Sequence, residues 1–484
     1  MQPKKKNLLS EWVAHSRLPP SLQPALITAI KAYGLTWTLT TAPVLLGLFV
    51  KTLTAKSPTS TKRVFLDCQR VVHQSLTQNG LPFLLAGALA SHRFLSYLLN
   101  HLVARASHPS VEKNKIRVSQ RSAIFLSAAV TMLSVKKVFP NTKTTDLTFF
   151  ALVRALDVFA HRAYESNRVR QHVPHWILDY GSVGVFTIAC TEIMFSWFYE
   201  PNRLPKSYAN WITKMADMNP KLLELLRAVR EKRWQYGKDT DLCDPLRGRI
   251  PCRAVHPGDT CETNGLRRFG KGFFKIFPLY FFIHLAPPLL LRPSQVAQAP
   301  LQNMVHVLKA SVRSSAFLAS FITIIWYSVC LVRTRIGHQV LGVRQSILDD
   351  TLAPFVGSAL CGLSLLIETR HRRGEMALYV VPRALYSFTE RVVGPHQRGR
   401  WWESLGAGVA ETLVFALSAM VVLDAMYKDK THIRSSVRGL LSWIMKDELQ
   451  ALKTEHTNGK TNGKSNGKIN GKSNGMTNGK IDVK

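Results

Sequence analysis

Apolar runs of about twenty residues alternate with short connections rich in lysine and arginine, about ten times along the chain. A helix needs about 20 mostly apolar residues to cross the hydrocarbon core of a bilayer. A soluble helical core would instead place apolar residues three and four apart, with charges on nearly every turn. The pattern predicts an all-α, polytopic membrane protein. The runs fall at 25–50, 81–103, 122–139, 147–163, 180–199, 273–291, 314–332, 353–367, 376–393 and 405–426. Pro278, Pro287 and Pro288 interrupt the run at 273–291, so a kinked span and a re-entrant segment both stay open there. The expected count is eight to ten spans.

The order of these runs repeats. Arg154-Ala-Leu-x-x-Phe-x-x-Arg162 returns as Arg383-Ala-Leu-x-x-Phe-x-x-Arg391, each inside an apolar segment. Upstream, Phe125-Leu-Ser-Ala-Ala129 answers Phe355-Val-Gly-Ser-Ala359, and Leu133-Ser134 answers Leu363-Ser364. The reading is two similar four- or five-helix bundles related by internal duplication. Five spans in each would orient the halves oppositely, the inverted plan of many transporters, whereas four would leave them parallel. Lysine and arginine are spread over connections on both sides, so the positive-inside rule does not choose.

The expected organisation is a polar N-terminus at 1–24, a first membrane bundle at 25–199, a basic loop at 200–272, a second bundle at 273–427 and a basic tail at 428–484. Asn-Gly recurs through the tail from Asn458 to Asn478, usually followed by lysine, a composition that builds no core; disorder is expected from about residue 455. Within the loop, Pro220 to Trp234 reads as an amphipathic helix, with Leu222, Leu223, Leu226 and Val229 on one face and Lys221, Arg227, Arg230, Lys232 and Arg233 on the other. Packing on its own domain is favoured over lying on a membrane surface.

Charge changes the picture in one respect. Lysine and arginine total 64 against 30 acids, a net charge of +34. Beside apolar runs, such cations contact anionic headgroups and set topology. No zinc finger, aromatic-basic sheet signature or basic recognition helix is present, so nucleic acid is not an expected partner. The expected partners are the bilayer, a lipid or small-metabolite substrate, and proteins recruited through the 200–272 loop and the tail. Seven cysteines are scattered along the chain, several in or near apolar runs, and no disulfide framework is implied. There is no P-loop, nucleophile elbow, dinucleotide fingerprint or His-Glu-x-x-His. His175-Trp-Ile-Leu-Asp179 is one residue short of the His-x4-Asp motif of membrane acyltransferases, so an enzyme is not expected.

Ionisable residues inside apolar segments are the first candidates for function, because a charge at mid-membrane is costly and faces a partner or a watery interior. They are Arg154, Asp157 and Glu192 in the first half, and Arg383, Glu390 and Glu411 in the second. The expectation is that Arg154 pairs with Glu192 or Asp157 and Arg383 with Glu411 or Glu390; the plain structural alternative is that such pairs only fix helix register. Gly87-x3-Ser91, Ser358-x3-Gly362 and Gly406-x3-Ala410 place small residues on one helix face, which lets helices approach closely in lipid. Cys243, Cys252, His256 and Cys261 could hold zinc tetrahedrally, but no close Cys-x2-Cys pair is present, and a reactive thiol or an ordered loop is favoured over metal.

Two stretches, Arg373-Gly-Glu-Met-Ala-Leu-Tyr-Val-Val-Pro-Arg-Ala-Leu385 and Pro251-Cys-Arg-Ala-Val-His-Pro-Gly-Asp-Thr-Cys261, resemble the transmembrane protein 135 family over roughly residues 20–430. Cys252, His256, Cys261, Glu375, Pro382 and Arg383 carry the match. The resemblance implies a multi-pass protein of the peroxisomal membrane, with mitochondria as the alternative, linked to lipid metabolism and organelle dynamics, and it carries over no catalytic residues. In outline the repeat is also similar to the four-helix subunits of the mitochondrial inner-membrane translocase, at the level of fold alone. The function expected is support of lipid or metabolite handling, by transport or otherwise. A membrane scaffold for division or tethering partners is the alternative, and an acyltransferase-like enzyme a third.

Overall fold

The computed structural model describes residues 13, 18–53, 61–106, 119–218, 220–233, 256, 258–291, 293–344, 347–393 and 401–451. All regular structure among them is helical. The longer helices are α1 (Gln23–Leu53), α2 (Thr61–Thr77), α3 (Leu81–Ala106), α4 (Gln120–Val138), α5 (Thr145–Glu165), α6 (His175–Tyr199), α7 (Lys206–Ala216), α8 (Pro220–Arg230), α9 (Cys261–Leu291), α10 (Pro300–Leu331), α11 (Ala353–Leu360), α12 (Arg370–Val393), α13 (Trp401–Lys428) and α14 (Ser435–Ile444).

Among the described residues, five stretches are long and apolar enough to cross a membrane: His175–Tyr199, Cys261–Leu289, Pro300–Gly337, Leu348–Ile367 and Gly408–Lys428. The chain is thus a helical protein with the makings of a multi-pass membrane protein. The run left open by its prolines is a continuous 31-residue helix, α9. Each internal proline removes one backbone hydrogen bond, a loss that helix neighbours can absorb in a membrane protein. Five of the ten expected runs are helical but fall outside these five: 25–50, 81–103 and 122–139 correspond to α1, α3 and α4, and the two arginine-bearing segments 147–163 and 376–393 to α5 and α12. Arg154, Asp157 and Arg162 interrupt α5, and Arg383, Glu390 and Arg391 interrupt α12.

The chain divides into two compact units, Met1–Thr144 with Ala410–Lys484 and Thr145–Val409. This division differs from the sequential bundles 25–199 and 273–427, because α5 packs on α12 and so joins the later helices. In the first unit α3 packs between α1 and α4, and α14 packs on α1. Residues 435–444 of the expected tail are therefore an ordinary packed helix, while the Asn-Gly repeats lie outside the described residues.

In the second unit α6 is central. It packs on α11 and α12, and its Phe186, Ile193, Trp197 and Phe198 are buried. α10 packs along α9 and α11. The backbone from 348 to 367 passes through π-helix, α-helix and a seven-residue 3-10 helix, Cys361–Ile367. There Gly362 allows a close approach: a Cβ at this position would lie 2.6 Å from the Thr187 Cα of α6. Gly87 likewise meets Thr131 of α4, whereas Gly406 has open space, so the third small-residue pair does not mark a close contact. The amphipathic helix α8 packs on its own unit, as its pattern suggests. Leu222, Leu223 and Leu225 are buried, and Arg227 donates to the carbonyls of Phe198 at 2.9 Å and Trp197 at 3.2 Å, satisfying acceptors at the end of α6.

Candidate functional site

The site is built on α12. Its residues Arg372, Glu375, Met376, Tyr379, Val380 and Arg383 recur every three or four positions and so share one face. That face borders a cavity of about 780 Å³ within the second unit. The remaining walls come from three apolar helices. α6 contributes Phe186, Ile193 and Trp197, α9 contributes Leu279 and Ile283, and α10 contributes Phe317, Phe321 and Ile322. Tyr208, Trp211, Ile212 and Met215 of α7 close another side; their spacing is one stripe of an amphipathic helix. The rings of Tyr208 and Trp211 stack with centroids 6.1 Å apart.

The cavity is largely apolar, with its charges gathered along α12. Arg383 pairs with Asp146, at the start of α5, at 2.7 Å. Glu375 pairs with Arg154 at 3.2 Å. Arg372 reaches Glu368 at 3.4 Å and the Ser314 hydroxyl at 2.8 Å, and Ser314 donates to Glu368 at 2.7 Å. Burial pushes the Tyr208 phenol up, Cys190 and Tyr379 push it further, and Arg383 opposes them. Tyr208 therefore keeps its proton and can donate to a ligand. One side of the cavity is open, since Leu279, Ile283, Trp211 and Tyr379 line it yet stay exposed. The opening lies between α9, which is of membrane length, and the shorter α7 and the charged α12.

The expected ion pairs form with other partners. Arg154 meets Glu375 in place of Glu192 or Asp157, and Arg383 meets Asp146 in place of Glu411 or Glu390. Glu192 pairs with Arg391 at 2.8 Å and accepts from Ser387 at 3.0 Å. Glu411 belongs to the first unit, where it binds Lys136 at 2.8 Å and Thr144 at 2.7 Å. Asp157 is buried, one turn from His161 at 3.8 Å, and Glu390 is half-buried further along α12. The physical reason is register. A salt bridge requires atoms within about 4 Å, and α5 and α12 lie side by side where segment order pointed to α6 and α13.

α5 and α12 meet reciprocally. Asp146 precedes Arg154 by eight positions (154 − 146 = 8), and Glu375 precedes Arg383 by eight (383 − 375 = 8). The acid of each helix pairs with the arginine of the other, which is the register of an antiparallel pair. Eight residues rise about 12 Å along a helix, so the two bridges are separate clamps. Asp146, Glu368 and Arg372 were absent from the sequence-based candidates, and Glu375 was named only for the family resemblance, not as a charged site residue. The shared spacing of eight was a readable signal for Asp146 and Glu375, and the 208, 211, 212 and 215 stripe was one for α7.

Of the expected metal ligands, Cys243 and Cys252 lie outside the described residues. His256 and Cys261 come together, and Cys330 of α10 joins them.

No family model, curated protein or solved structure matches the chain.

Proposed function

We propose that the protein binds one amphiphilic, anionic lipid-like molecule in the α12 cavity and handles it within an organelle membrane. The observation that carries this is the shape of the site: an apolar chamber of about 780 Å³, walled by the membrane-length α6, α9 and α10, open beside α9, with arginines along one wall. Ligand pockets hold molecules in volumes of roughly 300–1,000 Å³, and a few placed polar groups orient them. The acyl part would lie against Phe186, Phe317 and Ile322, and the anionic head against Arg372 and Arg383. Arg383 is suited to the exchange because its bridge to Asp146 is partly exposed, at 32% and 39%, and an exposed bridge is worth about 0–1 kcal/mol.

The duplication belongs to the same proposal. Reciprocal Arg–acid bridges between α5 and α12 support two repeats of opposite orientation, since a two-fold across antiparallel helices would exchange them. The resemblance to the transmembrane protein 135 family supports a peroxisomal membrane first and a mitochondrial one second, and lipid handling over catalysis.

The test is saturable binding of fatty acids, acyl-CoA and anionic phospholipids to the purified full-length chain in detergent, followed by flux in proteoliposomes. Wild type should bind one of these classes, Arg383→Ala should weaken it, and Leu279→Trp, which fills the open side, should abolish it. No saturable binding by wild type to any class would reject the proposal. Binding without flux under any gradient would keep the site and reject transport.

A further inference from the structure

A second cluster lies at one end of the α9–α10 pair. Cys261 opens α9, Cys330 lies in the last turn of α10, and His256 precedes α9. One ligand atom from each falls within 4.8 Å of the others. The Cys261 Sγ to His256 Nε2 distance is 3.4 Å. Zinc bonds of about 2.3 Å to sulfur and about 2.0 Å to nitrogen, at the tetrahedral angle, set that edge at roughly 3.5 Å. The other ring nitrogen, Nδ1, lies 2.8 Å from the Asp259 carbonyl oxygen. A carbonyl oxygen only accepts, so Nδ1 carries the proton and Nε2 is left with its lone pair toward the sulfurs. Metal-bound imidazoles are held in this way. His256 and Cys330 are 5% and 2% exposed, so the ligand set is sheltered.

We propose that His256, Cys261 and Cys330 bind one Zn²⁺ ion that clasps the start of α9 to the end of α10. Two thiolates and a neutral imidazole balance the ion's charge, and soft sulfur ligands favour zinc over calcium or magnesium. Three protein ligands among the described residues leave one tetrahedral position, which water can fill. Because α9 and α10 both wall the cavity, the clasp holds that wall in place. The inference stands on its own geometry and does not require the lipid-binding reading. It shares His256 and Cys261 with the contiguous set expected from sequence and adds a ligand from about 70 residues away (330 − 261 = 69).

The experiment is metal analysis of the full-length chain, expressed with zinc and purified without metal-affinity resin. Wild type should carry about one zinc per chain, and replacement by Co²⁺ should give sulfur-to-cobalt charge-transfer bands. Cys330→Ser and His256→Ala should each lose the zinc, His256→Cys should keep it, and Cys243→Ser with Cys252→Ser should keep it. A variant that aggregates is replaced by peptide mapping of wild type, in which alkylation of Cys261 and Cys330 should be blocked until a chelator is added. Zinc-free wild type, copper in place of zinc, a Cys261–Cys330 disulfide, or zinc that depends on Cys243 and Cys252 but survives Cys330→Ser would each overturn the proposal.

Discussion

Each compact unit sets acids among bases, and the two solutions differ. In the first unit Glu448 is 1% exposed and is surrounded by His92 at 3.2 Å, Arg93 at 3.0 Å and the Tyr427 hydroxyl at 2.6 Å. Burial raises its carboxyl, but the hydrogen bond and charge of His92, with Tyr427 and Arg93, outweigh this and leave it below its ordinary value. In the second unit the bridges of Arg154 and Arg383 are less deeply buried, and Asp146, Glu375 and Arg383 border a cavity. A closed cluster has its partners fixed, so its electrostatics go into folding. An open cluster can exchange a partner for a ligand. The difference in enclosure, with similar groups in both, separates a structural site from a candidate binding site.

The largest effect that would break this comparison belongs to the closed cluster. Glu448→Ala strands His92 and Arg93 beside a cavity, and removing one partner of a buried pair costs about 3–5 kcal/mol. Unfolding in detergent should show this loss while ligand binding in the second unit persists. If Arg383→Ala destabilised the protein as much as Glu448→Ala, the distinction would fail.

The next effect tests packing in the second unit. Gly362→Val should cost about 1–3 kcal/mol, because the added atoms meet the α6 backbone at Thr187 and overpacking displaces it. Gly406→Ala, at a position with open space, serves as the neutral control in the same thermal assay.

Arg383→Ala comes third. It should weaken binding of an anionic amphiphile about tenfold, or about 1.4 kcal/mol. Arg383→Lys should recover part of that loss, since a lysine keeps the charge without the planar fork. Equal affinity for wild type and Arg383→Ala would move the headgroup site away from α12.

A smaller effect concerns pH. The folded Glu448 carboxyl lies below its unfolded value, so its contribution is fully present above the ordinary carboxylate range and is lost as pH falls through the folded value. Acid should thus lower the unfolding temperature of wild type more steeply than that of Glu448→Gln. Parallel curves for the two proteins would contradict this assignment.

The smallest is the coupling of Arg154 and Glu375. Their side chains are 11% and 22% exposed, between the surface and interior cases, and a double-mutant cycle should return about 1 kcal/mol. A coupling near zero would leave the reciprocal clamp as geometry without energy.

Much of this is legible in the amino-acid sequence. Run length and apolar content are local properties, and they placed the membrane-length helices. They also marked Arg154 and Arg383 as matched, because a charge in an apolar segment stands out wherever the chain goes. The amphipathic spacing of Leu222, Leu223 and Leu226 likewise foretold that α8 packs.

Pairing is a different kind of fact. Arg154 and Glu375 are 221 positions apart, and no local rule says that α5 lies against α12. The eight-residue offset from acid to arginine was written in both helices, but it acquires meaning only when they pack antiparallel and each offset meets the other. Cys330 illustrates the same limit, since among apolar neighbours it reads as a small core residue until α10 brings it to His256 and Cys261. Local chemistry determined which groups need partners. The tertiary structure alone decided which partners they found, because an ion pair or a coordination shell depends on separations of a few ångströms that helix packing sets.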